Sequence, residues 1–173
     1  KSAMADLLAR LSSFLADYGL LSRGGFHPRP SDGVPDETGT LVLIGNAGPE
    51  LWRVFTHQRR DEPHPLDAWT RRILTDVAHR FDARAHFPFG GPPTLPFQRW
   101  ARRAEAVFPS PIGPLIHPDY GLWHAYRGAL AFTDKIALPL RRRRANPCRS
   151  CLDRPCLSAC PVDAFNDDGY EVP

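Results

Sequence analysis

All four cysteines of this 173-residue chain fall inside one thirteen-residue window, Cys148 to Cys160. The spacing is C-x2-C-x4-C-x3-C, and Pro161 follows the last of them. A metal centre needs several thiolates to converge on one point, and clustering of this kind supplies them. Three readings of the window stand side by side. Four thiolates ligate an iron–sulfur cluster. Four thiolates also satisfy tetrahedral zinc, although zinc ribbons usually pair two C-x2-C knuckles across a longer loop. The third reading is two disulfides or free thiols, which belongs with small secreted domains that lack a core.

The closing C-P resembles the runs of bacterial ferredoxins that hold [4Fe–4S] clusters. That run is C-x2-C-x2-C-x3-C-P, so the second gap here is two residues longer. In two-cluster ferredoxins the fourth cysteine ligates the other cluster. By that rule Cys148, Cys151 and Cys156 hold one cluster with a remote fourth ligand, and Cys160 serves a second. Otherwise Cys160 closes a single cluster itself. Because no other cysteine occurs, the chain is expected to be a fragment that continues past Pro173 into a second cysteine run. Lys1 in place of methionine suggests a trimmed start, and no N-terminal signal is visible.

With 42% hydrophobic residues, one core or one core with a small appendage is expected. Nineteen prolines and thirteen glycines imply many irregular connections. The net charge of +3 is too mild to argue for nucleic acid. Its distribution says more. Residues 141–160 hold six arginines and one aspartate, whereas residues 161–173 hold four acids and no Lys or Arg. The run Arg141 to Arg144 reads first as a solvated linker that tunes an anionic cluster, then as a docking site for an acidic redox partner, and last as a nucleic-acid contact. No segment has the roughly 18 continuous apolar residues that a membrane span needs. A thiolate cluster fits a reducing cytoplasm.

Leu7, Leu8, Leu11, Phe14, Leu15 and Tyr18 repeat at helical spacing over residues 4–18, and Gly19 is the expected stop. Residues 22–39 read as a loop. Thr40 to Ile44 reads as a buried strand, and a helix starts near Pro49 and runs through Trp52 and Phe55. Pro65 to Phe81 is the clearest helix, with Leu66, Trp69, Ile73, Val77 and Phe81 on one face. A strand-like Ala83 to Phe89 and a Gly-Pro loop follow. A third helix spans about Pro96 to Val107, with Arg99, Arg102 and Arg103 on its outer flanks. Residues 115–118 and 123–132 read as strands. This order argues α/β layering, with residues 1–140 as the main domain and 141–173 as the cysteine-bearing appendage.

No Rossmann fingerprint, P-loop or nucleophile elbow occurs. His57, His64, His79 and His86 are expected to be surface or helix-end residues. No paired catalytic acid or nucleophile stands out, so catalytic residues stay unassigned. The segment Gly113 to Gly128 is dense in residues that are costly in a plain strand. Trp123, Ala125 and Arg127 share one strand face by period two, and His124 and Tyr126 share the other. An inward arginine beside tryptophan needs an anion or a carboxylate. It is either a core residue paired to an acid or the anchor of a planar ligand stacked on Trp123.

Gly113, Ile116, His117, Pro118, Gly121, Trp123, Ala125, Arg127 and Gly128 fit the pattern G-x-x-I-H-P-x-x-G-x-W-x-A-x-R-G position for position. This segment resembles the cobalamin-processing proteins of the CblC type. The whole arrangement is similar to epoxyqueuosine reductases, which join a related corrinoid-binding domain to ferredoxin-type clusters. The resemblance implies an α/β (α+β), flavin-nitroreductase-like layered domain with a small C-terminal ferredoxin-type [4Fe–4S] segment. It implies cobalamin or a similar cofactor near His117, Trp123 and Arg127, and in the CblC family the arginine matching Arg127 lies near a bound thiol cosubstrate. The leading expectation is a reductase that passes electrons from a cluster on Cys148, Cys151, Cys156 and Cys160 to a corrinoid-like cofactor, with an acidic redox partner. The alternatives are a non-enzymatic ferredoxin-like carrier or assembly module, and a zinc-stabilised nucleic-acid binder.

Overall fold

Thr40 to Ile44 is uniformly apolar after its first residue because both faces of the strand it forms are covered. The structure, a computed structural model, describes residues 2–35, 37–166 and 169–170. Its elements run α1 (Ser2–Ala16), β1 (Leu21–Phe26), β2 (Thr40–Ala47), α2 (Glu50–Gln58), α3 (Pro65–Arg80), β3 (Arg84–His86), α4 (Phe97–Ala104), β4 (Phe108–Pro109), β5 (Leu115–Ile116), β6 (His124–Phe132), α5 (Pro155–Ser158), β7 (Phe165–Asn166) and β8 (Gly169–Tyr170). Four strands form one sheet in the order β1-β2-β6-β3, and every pairing in it is antiparallel.

Period-two alternation along β2 sorts its side chains between two cores. Val42 and Ile44 pack with Leu11, Leu15, Phe55 and Trp69 of α1, α2 and α3. Leu41 and Leu43 pack on the other face with Phe97, Trp100 and Ala101 of α4. The wholly buried indoles Trp69 and Trp100 thus anchor opposite faces. Each finds a partner for its N–H: Trp69 donates to Gln58 Oε1 at 3.0 Å, and Trp100 to the Asp32 carbonyl at 2.8 Å. The fold is therefore mixed α/β with an antiparallel sheet between helical layers.

Several expectations change. Residues 22–39 are not all loop, because β1 pairs with β2 along the sheet edge. Its glycines hide it from pattern reading and are needed there: a Cβ at Gly25 would stand 2.7 Å from the Leu41 carbonyl oxygen. The strand expected over 83–89 shrinks to Arg84–His86, and α4 ends at Ala104 rather than Val107. The strand expected over 115–118 stops at Ile116, where it pairs only with β4. His117 then faces Gly121 across a tight hairpin. His57, His64 and His79 are exposed, but His86 is a half-buried strand residue.

A bulge positions the candidate site. Between Ile44 and Gly45 the β2–β6 register slips, so that Ile44 faces Gly128 and Gly45 faces Tyr126. Arg127 is the extra residue. The bulge reverses the parity of β6. Beyond it Leu130 and Phe132 face α1–α3; before it the odd positions Ala125 and Arg127 do so instead.

Candidate functional site

Three cavities meet along residues 115–127. The first is lined by Cys148, Cys151 and Cys156, with Arg154 beside them and Ile116 and Leu122 on the opposite wall, and holds about 350 Å3. Two prolines shape its thiol-bearing side. Pro147 opens a 3-10 turn whose N-terminus is capped by Asn146, which accepts from the Cys148 N–H at 3.0 Å. Pro155 opens α5, placing Cys156 in its first turn. Burial pushes the Cys148 thiol up from its ordinary range; neighbouring Cys156 and Cys151 add to this, and Arg154 opposes it. Mutual repulsion of thiolates is what a bound cation removes, because ligation deprotonates a thiol outright. Cys160 does not line this cavity; its Sγ accepts from the Ala164 N–H at 3.5 Å. All four cysteines are free thiols. Among the described residues, no three Cys, His, Asp or Glu side chains come together closely enough to hold a single ion. Three sulfur donors line one cavity, a soft-ligand set that zinc and iron–sulfur centres share.

The second cavity, about 630 Å3, lies between the start of β6 and helices α2 and α3. Trp123, Ala125 and Arg127 line it, as their shared strand face predicts, together with Trp52, Leu51 and Leu66. Trp123 is 84% exposed and Trp52 57%, so two flat apolar faces stand open at one hollow. Trp52 was not singled out from the sequence, where it looks like an inward residue of α2. At the inner end, Arg127 Nη2 donates to Asp67 Oδ1 at 2.7 Å and to Thr70 Oγ1 at 3.4 Å. Its Nε is buried without a partner among the described residues.

His117 does not join Trp123 and Arg127. It lines a third cavity, of about 390 Å3, on the α4 side of the sheet. There a polar network gathers around Arg23, whose side chain is 2% exposed. Arg23 Nη2 meets Glu105 Oε1 at 2.7 Å and His124 Nδ1 at 3.2 Å, while Nη1 donates to the Asn46 carbonyl. Its guanidinium lies between the rings of Tyr126 and Tyr120, at 4.8 and 5.4 Å. The Tyr126 hydroxyl donates to Glu105 Oε1 at 2.5 Å. Burial, with Glu105 adding to it, pushes that phenol well above its ordinary range.

The partners also fix both imidazole tautomers. His124 Nε2 faces the Leu115 carbonyl at 2.8 Å and must donate, so Nδ1 accepts from Arg23. His117 Nδ1 accepts the Asp119 and Tyr120 N–H groups at 3.0 and 3.2 Å. Its proton therefore sits on Nε2, 3.7 Å from Glu105 Oε2. Burial lowers both histidines from their ordinary pKa, and Arg23 adds to this in each case, although Glu105 pulls the other way. Arg23 and Glu105 were missed in the sequence; neither carries a motif, and only an arginine next to a Gly-Gly pair hinted at a special edge strand.

No protein-family model and no curated protein matches this chain. Among the described residues, no helix is long and apolar enough to cross a membrane.

Proposed function

We propose that this chain is an iron–sulfur redox protein whose α/β body binds the electron acceptor, a corrinoid-like or other planar cofactor or substrate. Cys148, Cys151 and Cys156, with Cys160 as a further thiol, are the residues that would hold a [4Fe–4S] cluster. When bound, such a cluster supplies one-electron transfer. One observation carries the reading: consecutive residues Leu122 and Trp123 line different cavities. The thiol-lined and tryptophan-lined hollows thus adjoin at neighbouring residues, whose Cα atoms stand about 3.8 Å apart.

The roles of the chain's own residues follow from their placement. Trp123 and Trp52 offer faces for stacking a planar ligand, and Leu51 and Leu66 keep water from its apolar edge. Arg127 offers a buried Nε to an anionic substituent. Arg154 places a cation beside the thiols, where it offsets the charge of a thiolate-ligated centre. The antiparallel sheet between helical layers is compatible with the flavin-nitroreductase-like architecture that the resemblance to CblC-type proteins implies.

The second reading is a carrier with no cofactor in the α/β body. It is favoured by the Arg127–Asp67 pair, which already occupies the arginine's outer nitrogen. Anaerobic purification with iron and sulfide analysis, followed by titration with cobalamin, separates the two. Iron, sulfide and absorption near 400 nm, with a spectral change at micromolar cobalamin, are expected. Iron without any cobalamin response leaves the carrier. A colourless zinc protein overturns both.

A further inference from the structure

The geometry points to the face built from Leu140 and the arginines Arg141–Arg143 as the docking surface for an acidic electron-carrier protein. This rests on the iron–sulfur reading above and adds where its reductant binds. Among the described residues Arg141, Arg142 and Arg143 make no ion pair or hydrogen bond, while Arg144 is engaged with Asp119. Arg141 lines two hollows at once. One, of about 400 Å3, it shares with Arg99, Arg102 and Arg103 of α4; the other is the His117 cavity. The charge is thus a band across the surface; Asp32 pairs with Arg103 and Asp119 with Arg144, and Arg141–Arg143 keep their charge open.

The band abuts the thiols. Pro109 lines the arginine hollow, and the next residue, Ser110, lines the cysteine cavity. A protein seated on the arginines would lie against the wall of the thiol-lined hollow, which is where an electron donor must lie.

Two features select a protein over a nucleic acid. Leu140, directly before the arginine run, is 95% exposed and lines the His117 cavity with Arg141 and Arg142. A single exposed leucine is ordinary. One set against a cationic band supplies an apolar anchor inside the charged rim of a protein interface. In addition, no aromatic residue occurs between Thr133 and Ala164, so the segment has no platform for stacking bases. The complementary partner is therefore acidic, with a small apolar patch, and its approach is steered by charge.

The probe is an acidic plant-type [2Fe–2S] ferredoxin, titrated in its oxidised form into the anaerobically purified protein by calorimetry. Binding is expected at 50 mM salt and should weaken about tenfold by 300 mM. The triple variant Arg141→Gln/Arg142→Gln/Arg143→Gln should raise Kd about tenfold or more. Leu140→Ser, which leaves the charge intact, should weaken binding without changing the salt dependence. Circular dichroism checks that each variant is folded. Reduced methyl viologen, a small cation, should bleach the visible spectrum of all variants alike.

Unchanged ferredoxin affinity in both variants, or no binding by the wild type, overturns the docking surface. So does tight binding of a single-stranded oligonucleotide that the same arginine substitutions abolish. An iron-free protein that viologen cannot bleach instead sinks the iron–sulfur reading, and the electron-carrier occupant with it; metal analysis reports that failure independently of calorimetry.

Discussion

Arg127 Nη2 meets Asp67 Oδ1 at 2.7 Å, joining β6 to the first turn of α3 across the inner end of the tryptophan-lined cavity. The carboxylate is half-exposed and the guanidinium is not: their side chains are 37% and 15% accessible. Water therefore compensates Asp67 when the pair is broken, and the pair itself contributes only about 1 kcal/mol or less. The more telling variant is Asp67→Asn. It keeps the shape, removes the competing anion and leaves Arg127 available to a ligand. Asp67→Asn should tighten binding of an anionic planar ligand to this cavity several-fold, whereas Arg127→Gln should weaken it. Quenching of Trp123 and Trp52 fluorescence reads both. Equal affinities in the two variants would mean that Arg127 is only a core brace.

The bulge that turns Trp123, Ala125 and Arg127 toward α2 and α3 depends on Gly45. A Cβ at that position would stand 2.1 Å from the Ala125 carbonyl oxygen, which is backbone and cannot swing aside. Gly45→Ala should cost about 1–3 kcal/mol, as overpacking does. It should also disturb the tryptophan cavity, because relief of the clash must move β6. A lowered Tm with a shifted tryptophan emission maximum is the expected result.

Residues of one character at a fixed period were readable in the sequence, and residues paired across long separations were not. Leu11, Leu15, Trp69 and Val77 declare α1 and α3 because their spacing is local. Leu41 to Ile44 declare β2 because both faces are buried. β1 carries no such pattern: Ser22-Arg23-Gly24-Gly25 is selected for close backbone approach at Gly25 and for the Arg23–Glu105 pair, 82 positions apart. The shared face of Trp123 and Arg127 followed from period two before the bulge, but the separation of His117 followed from the 117–121 hairpin, which no period encodes. The cysteine window was legible as a cluster of donors. Cys160 follows the four-residue α5, too short to leave a pattern, so its place outside that cavity was not readable.

Stability should fall on acidification below neutrality. His117 and His124 have folded pKa values lowered by burial, so the unfolded chain binds their protons more readily than the folded one. Their contribution is complete above the unfolded value of about 6.5 and is lost as pH falls through that value toward the folded one. Asp32 acts in the same direction at lower pH. Burial alone would raise it, but the Arg29 N–H and the Arg103 guanidinium, which meets it at 2.5 Å, outweigh burial and hold it below 3.8. Tm should therefore drop between pH 7.5 and 5.5 and again below pH 4. His124→Gln keeps a donor toward Leu115 and should flatten the first step while leaving the second. An unchanged first step would place the acid-sensitive groups elsewhere.

The cysteine segment should be separable from the body. It meets the rest at the thiol-cavity wall of Ser110, Pro111, Ile116 and Leu122, through the Arg144–Asp119 pair and where Arg141 sits beside α4, none of them part of a core. The two cores made by α1–α4 and the sheet contain no residue of the cysteine segment. Cys151→Ser replaces an exposed thiol with a near-isosteric hydroxyl, so it removes a soft ligand without disturbing packing. Bound iron and the absorption near 400 nm should be lost, while the main unfolding transition of the body moves by no more than a few degrees. Far-ultraviolet circular dichroism and iron analysis on the same sample test both halves. If the body unfolds with the loss of iron, the centre is a structural staple of the whole chain, and a redox module carried by an independently stable α/β body is the wrong description.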